Sequence, residues 1–445
     1  MTDAGLNSRL VERIPQRLRE IAFDPTDFQA RVALIVLCIL AVGLRLAYAA
    51  SIREEDAIVG WDGWEYLSYA RSILAGTSDG YVTHLNSIRP PFYPLFLAAC
   101  SLVTTAVVPF VQILQSLLGG AQVVIAFRTV SLVSCARGAL VAAALIAFCP
   151  HLIFLSAFLY TETVFAFLLW AGVYFFVRAG SQGARRAGSL LAVSAILLGL
   201  AALTRPTVLM LAPVMAALLL LGPRFGFATA PKVAMRRFLV FAGVFLAVVA
   251  PWMLRNLAVH GEFTLAPRHG AFILAFGNSP QLLGVYEAET VDEYYSRQNS
   301  LTAQFEVDGG LPKSEGLVEP IHCVRYDTAR WLKLELCKVR HFWTPWVNPM
   351  LYSASVVAVS AAYTVPVFLL GLFGLWRLLE RRSPLGRPLL VVIGIGFLTG
   401  GLIFHTQVRY RVPFVDIALA LAAGSVFCRK VTSPGEGPVE DGAAS

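Results

Sequence analysis

Charge is what this chain has least of. Asp, Glu, Lys and Arg make up 14% of its 445 residues, where a soluble domain carries roughly a quarter. Hydrophobic residues reach 57% and the mean hydropathy is +0.67, so the shortage excludes an ordinary soluble protein and leaves a polytopic membrane one. Nucleotide-binding signatures are missing too: there is no GxxxxGK[ST] loop and no Rossmann glycine fingerprint. The seven cysteines form no CxxC pair and no Cys/His spacing that suits a metal. Most of them, Cys38, Cys100, Cys135, Cys149 and Cys428, sit in apolar runs as small core residues. Cys323 and Cys337 lie in a polar segment, and a helix between them would hold them about 20 Å apart, which argues against a disulfide. No internal repeat is visible. The net charge of +8 does not indicate nucleic acid, because Lys and Arg are scattered through short loops between apolar runs.

What the chain does have is membrane-length apolar runs, at about 32–50, 110–127, 138–156, 161–177, 188–204, 206–222, 238–255, 356–376, 388–404 and 411–428. That is about ten transmembrane helices in an all-α protein. An eleventh apolar piece, 91–108, would reverse the orientation of everything after it if it crossed. Arg178, Arg185, Arg186, Arg224, Lys232, Arg236, Arg237, Arg377, Arg381, Arg382 and Arg387 share the side of the basic N-terminus only if it does not cross. It therefore reads as a half-embedded helix on the outer face, with both termini cytoplasmic. Residues 1–31 carry Leu10, Val11, Ile14, Leu18 and Ile21 at helical spacing among arginines, an amphipathic cytoplasmic helix. Ala47-Tyr48-Ala49 imitates a signal-peptidase site, but the lead before it is too long and too mixed in charge, so the first helix reads as retained. A core at 32–255 then includes a first outer loop, 51–91. A second outward segment, 256–345, reads as small and α/β or irregular. It is followed by C-terminal membrane helices, 346–428, and a disordered tail, 429–445.

On this topology the ionisable residues gather near the outer ends of their spans. The first loop holds Trp61-Asp62-Gly63-Trp64-Glu65-Tyr66 and Arg89-Pro90-Pro91, and distant spans add Arg45, Glu162, Arg205, Arg255, Arg409, Arg411 and Asp416. Charged groups beside hydrocarbon cost a few kcal/mol each unless paired or hydrated, so such groups are functional candidates. Guanidinium groups in that layer suit an anionic lipid headgroup, since they form bidentate bonds to phosphate oxygens. Each has a plain alternative. Arg45, Arg89, Arg255 and Arg409 can snorkel to the interface, Glu162 can complement a helix dipole, and Asp416 can pair with a neighbouring arginine. Arg205, between Thr204 and Pro206, sits at a helix break of the kind a cavity requires. Asp62, flanked by aromatics, has a setting that can tune a base. His84, His260 and His269 could ligate a metal with Asp62, though no tight spacing supports it.

Taken in order, Asp62 with Tyr66, Arg89-Pro90-Pro91-Phe92-Tyr93-Pro94, Thr161-Glu162-Thr163, Leu203-Thr204-Arg205-Pro206, Pro251-Trp252 with Arg255-Asn256, Gly277-Asn278 and Arg409-Tyr410-Arg411 resemble the membrane-embedded glycosyltransferases of the GT-C type. The branch concerned includes bacterial aminoarabinose and galacturonic acid transferases and protein O-mannosyltransferases. The resemblance implies a GT-C fold, a polyprenyl-phosphate-sugar donor, and a lipid, glycan or protein acceptor at the outer face of the cytoplasmic membrane. It implies that Asp62 engages the acceptor, that Arg89 contacts the lipid phosphate and that Glu162 is a second acid near the cavity; Glu65 is a further catalytic candidate, and Tyr66, Arg205, Arg255, Arg409 and Arg411 are candidate lipid-phosphate or sugar-binding residues. Many relatives have two adjacent acids in the first loop, whereas Gly63 follows Asp62 here, so whether one or two carboxylates act stays open. No cofactor is required by the pattern. A divalent metal is left open, with Asp62 and His84 as candidate ligands. Partners are the lipid donor, the acceptor and membrane lipids, with no nucleic acid. The alternative reading is a transporter or flippase of an anionic lipid, which usually shows inverted repeats and broken helices. The sequence shows neither clearly. A non-catalytic assembly partner is a third reading, against which Asp62, Arg89 and Glu162 together weigh.

Overall fold

A computed structural model describes residues 28–58, 61–76, 89–180, 184–221, 230–265, 273–274, 276–306 and 327–427. Among these residues the chain is helical, with no strand, so the α/β alternative for the second outer segment is not met. In chain order the helices are α1 (Phe28–Ala50), α2 (Glu54–Ala57), α3 (Trp61–Ala75), α4 (Phe92–Val103), α5 (Val107–Val130), α6 (Ala136–Ala147), α7 (Pro150–Ser156), α8 (Glu162–Gly180) and α9 (Ala184–Ala202). They continue as α10 (Val208–Leu220), α11 (Pro231–His260), α12 (Pro280–Tyr286), α13 (Val291–Glu306), α14 (Thr328–Trp343), α15 (Ala354–Glu380), α16 (Gly386–Phe397), α17 (Val408–Arg411) and α18 (Ile417–Gly424). Seven helical stretches are long and apolar enough to cross a membrane: α1, α5, α8, α11, α15, α16 with its continuation to Ile403, and Val408–Phe427. The pair α6 and α7, bent by 50°, makes an eighth if taken as one span. The stretch Arg186–Ala202 of α9, and α10, coincide with two further apolar runs but are shorter apolar helices, so ten is not reached by this measure.

The core is built by both consecutive and sequence-distant helices. α5 packs on α1, α6 and α8; α8 on α9; α9 on α11; and α18 on α15 and α6. Small residues let backbones touch, as membrane helices without a hydrophobic drive require. A Cβ on Gly138 of α6 would stand 2.4 Å from the Gly424 carbonyl of α18, and one on Gly374 of α15 would stand 2.0 Å from the Ala422 carbonyl. Helices α12 to α14 enclose a separate small core of Phe276, Leu282, Leu283, Val285, Leu301 and Leu334.

Three irregularities place the site. α4 has 12 residues, about 18 Å of helix, which is too short to cross roughly 30 Å of hydrocarbon. Pro150 supplies no N–H and breaks the helix after Ala147, a broken span that the sequence reading did not foresee. α16 and α17 each run into π-helical turns, Leu398–Ile403 around Gly400-Gly401 and Val412–Asp416 around Pro413. Such turns re-aim side chains, often beside functional sites.

Candidate active site

The motif Trp61–Tyr66 is not a loop. It opens α3, with Asp62 in the first turn, where a carboxylate complements the helix dipole, and Gly76 at φ 63° just beyond the end. Helical spacing then puts Asp62, Glu65 and Tyr66 on one face. Gly63 packs tightly: a Cβ there would stand 2.9 Å from the Ile58 carbonyl oxygen, which gives a physical reason why a second acid does not follow Asp62.

Arg89 enters this face from the start of α4. The two prolines bias the residues before them, Arg89 and Pro90, toward extended backbone, Pro91 itself turns into the helix at φ −82° and ψ −23°, and the Phe92 N–H donates to the Leu203 carbonyl at 3.0 Å, tying α4 to the end of α9. Arg89 Nη2 donates to Asp62 Oδ1 at 2.6 Å and its Nε to Glu65 Oε2 at 2.7 Å, while its guanidinium lies 5.1 Å from the Tyr66 ring centroid. Tyr66 meets Tyr93 edge-on at 5.1 Å, and Gln115 accepts from the Tyr93 hydroxyl at 3.2 Å. Gln115 in turn donates to the carbonyls of Ser156, at the end of the broken span, and Phe158, just past it.

The other oxygen of Asp62 takes a second guanidinium: Arg409 Nη1 donates to Oδ2 at 2.7 Å. Arg205, at the break between α9 and α10, pairs with Glu162 at 2.7 Å and donates to Thr161 Oγ1 at 3.3 Å. Tyr410 joins the two pairs, with Arg205 and Arg409 each 5.0 Å from its ring centroid. Side-chain exposures of 16% for Arg89, 23% for Asp62, 20% for Arg205 and 25% for Arg409 leave this cluster partly open at its surface. Burial works to raise the pKa of Asp62, but Arg89 and Arg409 outweigh it and hold the carboxyl well below the usual range. Burial pushes the Tyr66 phenol up to about 12. Three guanidinium groups facing three carboxylates can bind a phosphate by exchange of partners and can supply a base.

Two of the expected binding residues lie elsewhere. Arg255 donates to Asn256 Oδ1 at 2.9 Å, meets His260 at 3.1 Å and sits over Trp252; Asn256 holds the carbonyls of Thr264 and Leu265. Arg255 thus braces the exit of α11. Arg411 is fully buried, paired with Asp416 at 2.8 Å and bonded to the carbonyls of Phe342 and Thr344. It has no face to offer a headgroup. Arg45 is also fully buried and donates to the carbonyls of Ala41, Ile146 and Ala147, so it caps the broken end of α6 rather than reaching the interface. Asp416 pairs with an arginine as its sequence setting suggests. Sequence reasoning gave no role to Tyr410, Tyr160, Gln407 or His405. Only Tyr410 had a signal, its place between two arginines.

The described residues do not fit a divalent ion: no three of their His, Cys, Asp and Glu side chains converge, and both oxygens of Asp62 face guanidinium groups. His84 and His269 lie outside the described residues.

No family model matches the chain, and neither does any curated protein. Solved structures do. An archaeal oligosaccharyltransferase, AglB from Archaeoglobus fulgidus in complex with an inhibitory peptide and a dolichol-phosphate, superposes with TM-score 0.51 at 16% identity, covering 90% of this chain and 50% of that one. The apo form of the Archaeoglobus fulgidus oligosaccharyltransferase gives TM-score 0.52 at 15% identity over 90% and 51%. The chain spans about half the length of these proteins. ArnT from Cupriavidus metallidurans bound to undecaprenyl phosphate matches at 14% identity over 89% and 77%, with a TM-score of 0.39 that is too low to bear on the fold. At these identities the likeness speaks to the fold alone, and the fold of this chain is that of the matched half of the Archaeoglobus fulgidus oligosaccharyltransferase.

Proposed function

We propose that the protein is an integral membrane glycosyltransferase that moves one sugar from a polyprenyl-phosphate donor to a hydroxyl of a lipid, glycan or protein acceptor at the outer face of the cytoplasmic membrane. The observation that carries this reading is the meeting of Asp62 with both Arg89 and Arg409, from segments 27 and 347 residues away, in a partly open recess. The fold is consistent with it. In the reaction, the acceptor oxygen attacks the anomeric carbon from the face opposite the phosphate, the bond from that carbon to the phosphate oxygen breaks, and its electron pair stays on the phosphate. Configuration inverts. The hydroxyl proton goes to Asp62, a step of a kind worth about 10²–10⁴-fold in rate. Arg89, Arg205 and Arg409 stabilise the charge growing on the leaving phosphate, as donors in an oxyanion hole do. At rest Asp62 is a weak base because two guanidinium groups hold it. A phosphate that takes over those donors makes it a stronger one. Glu65 keeps Arg89 in place, and Glu162 does the same for Arg205.

The test is transfer of radiolabelled sugar from polyprenyl-phosphate donors to envelope fractions by membranes containing the protein. Asp62→Asn and Arg89→Ala each abolish transfer while the protein accumulates in the membrane as before. Full activity in both variants would refute the site. Movement of the intact lipid across vesicles, without loss of its sugar, would favour the flippase reading.

A further inference from the structure

Arg409 is itself held from behind. Its Nε donates to Gln407 Oε1 at 2.6 Å. The other end of that amide meets His405 Nε2 at 2.8 Å, and His405 Nδ1 meets the hydroxyl of Tyr286 at 3.2 Å. The polarity of every link follows from the first. An arginine only donates, so the amide oxygen must face Arg409 and the amide nitrogen must face His405. An amide nitrogen only donates, so His405 Nε2 accepts. The neutral ring therefore carries its proton on Nδ1 and gives it to the Tyr286 oxygen, which also receives the Thr406 N–H at 3.2 Å. A cationic His405 would set two donors against each other at Gln407. Burial, with Arg409 and Lys338 close by, pushes the His405 pKa down to about 3 and keeps the ring neutral.

The packing around the chain is close. A Cβ on Gly277 would stand 2.6 Å from the His405 backbone nitrogen, and the Phe276 and Tyr410 rings meet the imidazole edge-on at 5.4 Å and 6.2 Å. Tyr286 ends α12 and stacks on His341 of α14 at 4.7 Å, so the far end of the chain is built into helices α12 and α14.

We propose that Gln407 and His405, anchored on Tyr286, are positioning residues that fix the plane of the Arg409 guanidinium and thereby let helices α12 and α14 set the geometry of the phosphate-binding recess. With Nε–H pinned, Nη1 is presented to Asp62 and Nη2 to the Tyr410 hydroxyl. The proposal rests on the reading of this recess as the place where a polyprenyl phosphate binds.

The experiment uses the full chain in nanodiscs with undecaprenyl phosphate as the probe. Gln407→Leu and His405→Ala each weaken its binding about tenfold, the scale of a bond to a charged group, with the thermal midpoint unchanged, and added imidazole restores the His405→Ala protein. In an Arg409→Lys background, which has no Nε–H, Gln407→Leu has no further effect. Nitrogen NMR of histidine-labelled protein, with His405 assigned by its loss in His405→Asn, shows the Nδ1–H tautomer. Unchanged binding in Gln407→Leu, additive effects with Arg409→Lys, or an Nε2–H tautomer would each overturn the proposal. If the wild-type protein does not bind the probe, the lipid reading falls instead, and the tautomer alone decides the chain of bonds.

Discussion

Arg409 and Arg411 stand two residues apart on one helical turn and do opposite things. Arg409 is a quarter exposed and its strongest partner is a carboxylate of the recess; Arg411 has no exposure and spends its donors on Asp416 and two carbonyls at the end of α14. Arg45 resembles Arg411, with three carbonyl partners around the break after α6. Helix ends leave carbonyls without partners, and in a membrane no water is at hand to satisfy them. The difference teaches a rule for this fold: a sealed guanidinium bonded to carbonyls holds backbone, whereas a reachable one bonded to carboxylates can trade its partner for another anion.

That contrast can be broken by experiment. The largest expected effect is on transfer: Arg409→Ala lowers it about 10²-fold or more, as loss of an oxyanion-hole donor does, and barely moves the thermal midpoint in detergent. Arg411→Ala does the reverse. It leaves Asp416 buried with one partner fewer, which costs about 3–5 kcal/mol, read as a lower thermal midpoint with the surviving protein still active. Comparable losses of activity and stability in both variants would erase the distinction. Arg45→Ala strips the carbonyls of Ile146 and Ala147 of a donor and costs about 1–3 kcal/mol, again in stability alone. The smallest effect is that of pH. The pKa of Asp62 in the folded protein lies below its unfolded value of about 3.9, so its ion pairs stabilise fully above that pH and are lost as acidification passes through the folded value. Acid unfolding of the wild type should therefore steepen below about pH 4, and Asp62→Asn should flatten that slope.

Hydropathy made the membrane class legible, and the positive charges mark 91–108 as a run that should not cross, a stretch that folds as the 12-residue α4. The convergence of Asp62, Glu162, Arg89, Arg205 and Arg409 was also legible, because charge near hydrocarbon is conspicuous. The helical state of Trp61–Tyr66 was not. Tryptophan, glycine and an acid in quick succession weaken helix propensity, and the close approach of Gly63 to the Ile58 backbone in this turn is a tertiary contact that the local sequence does not announce. Arg45, Arg255 and Arg411 could not be told from Arg409 by position, since depth in the bilayer does not say which way a side chain turns. Gln407 and His405 left no mark at all: their bonds to Arg409 and to each other are local but follow no sequence pattern, and the bond that anchors them, from His405 to Tyr286, spans 119 positions.

The recess as described is zwitterionic, with three cations and three anions balanced around Tyr410 and Tyr66. In the proposed transfer, capture of a proton by Asp62 unmasks one positive charge. It does so as the departing phosphate acquires its second negative one, so the electrostatic demand of the leaving group and its supply arise in the same event.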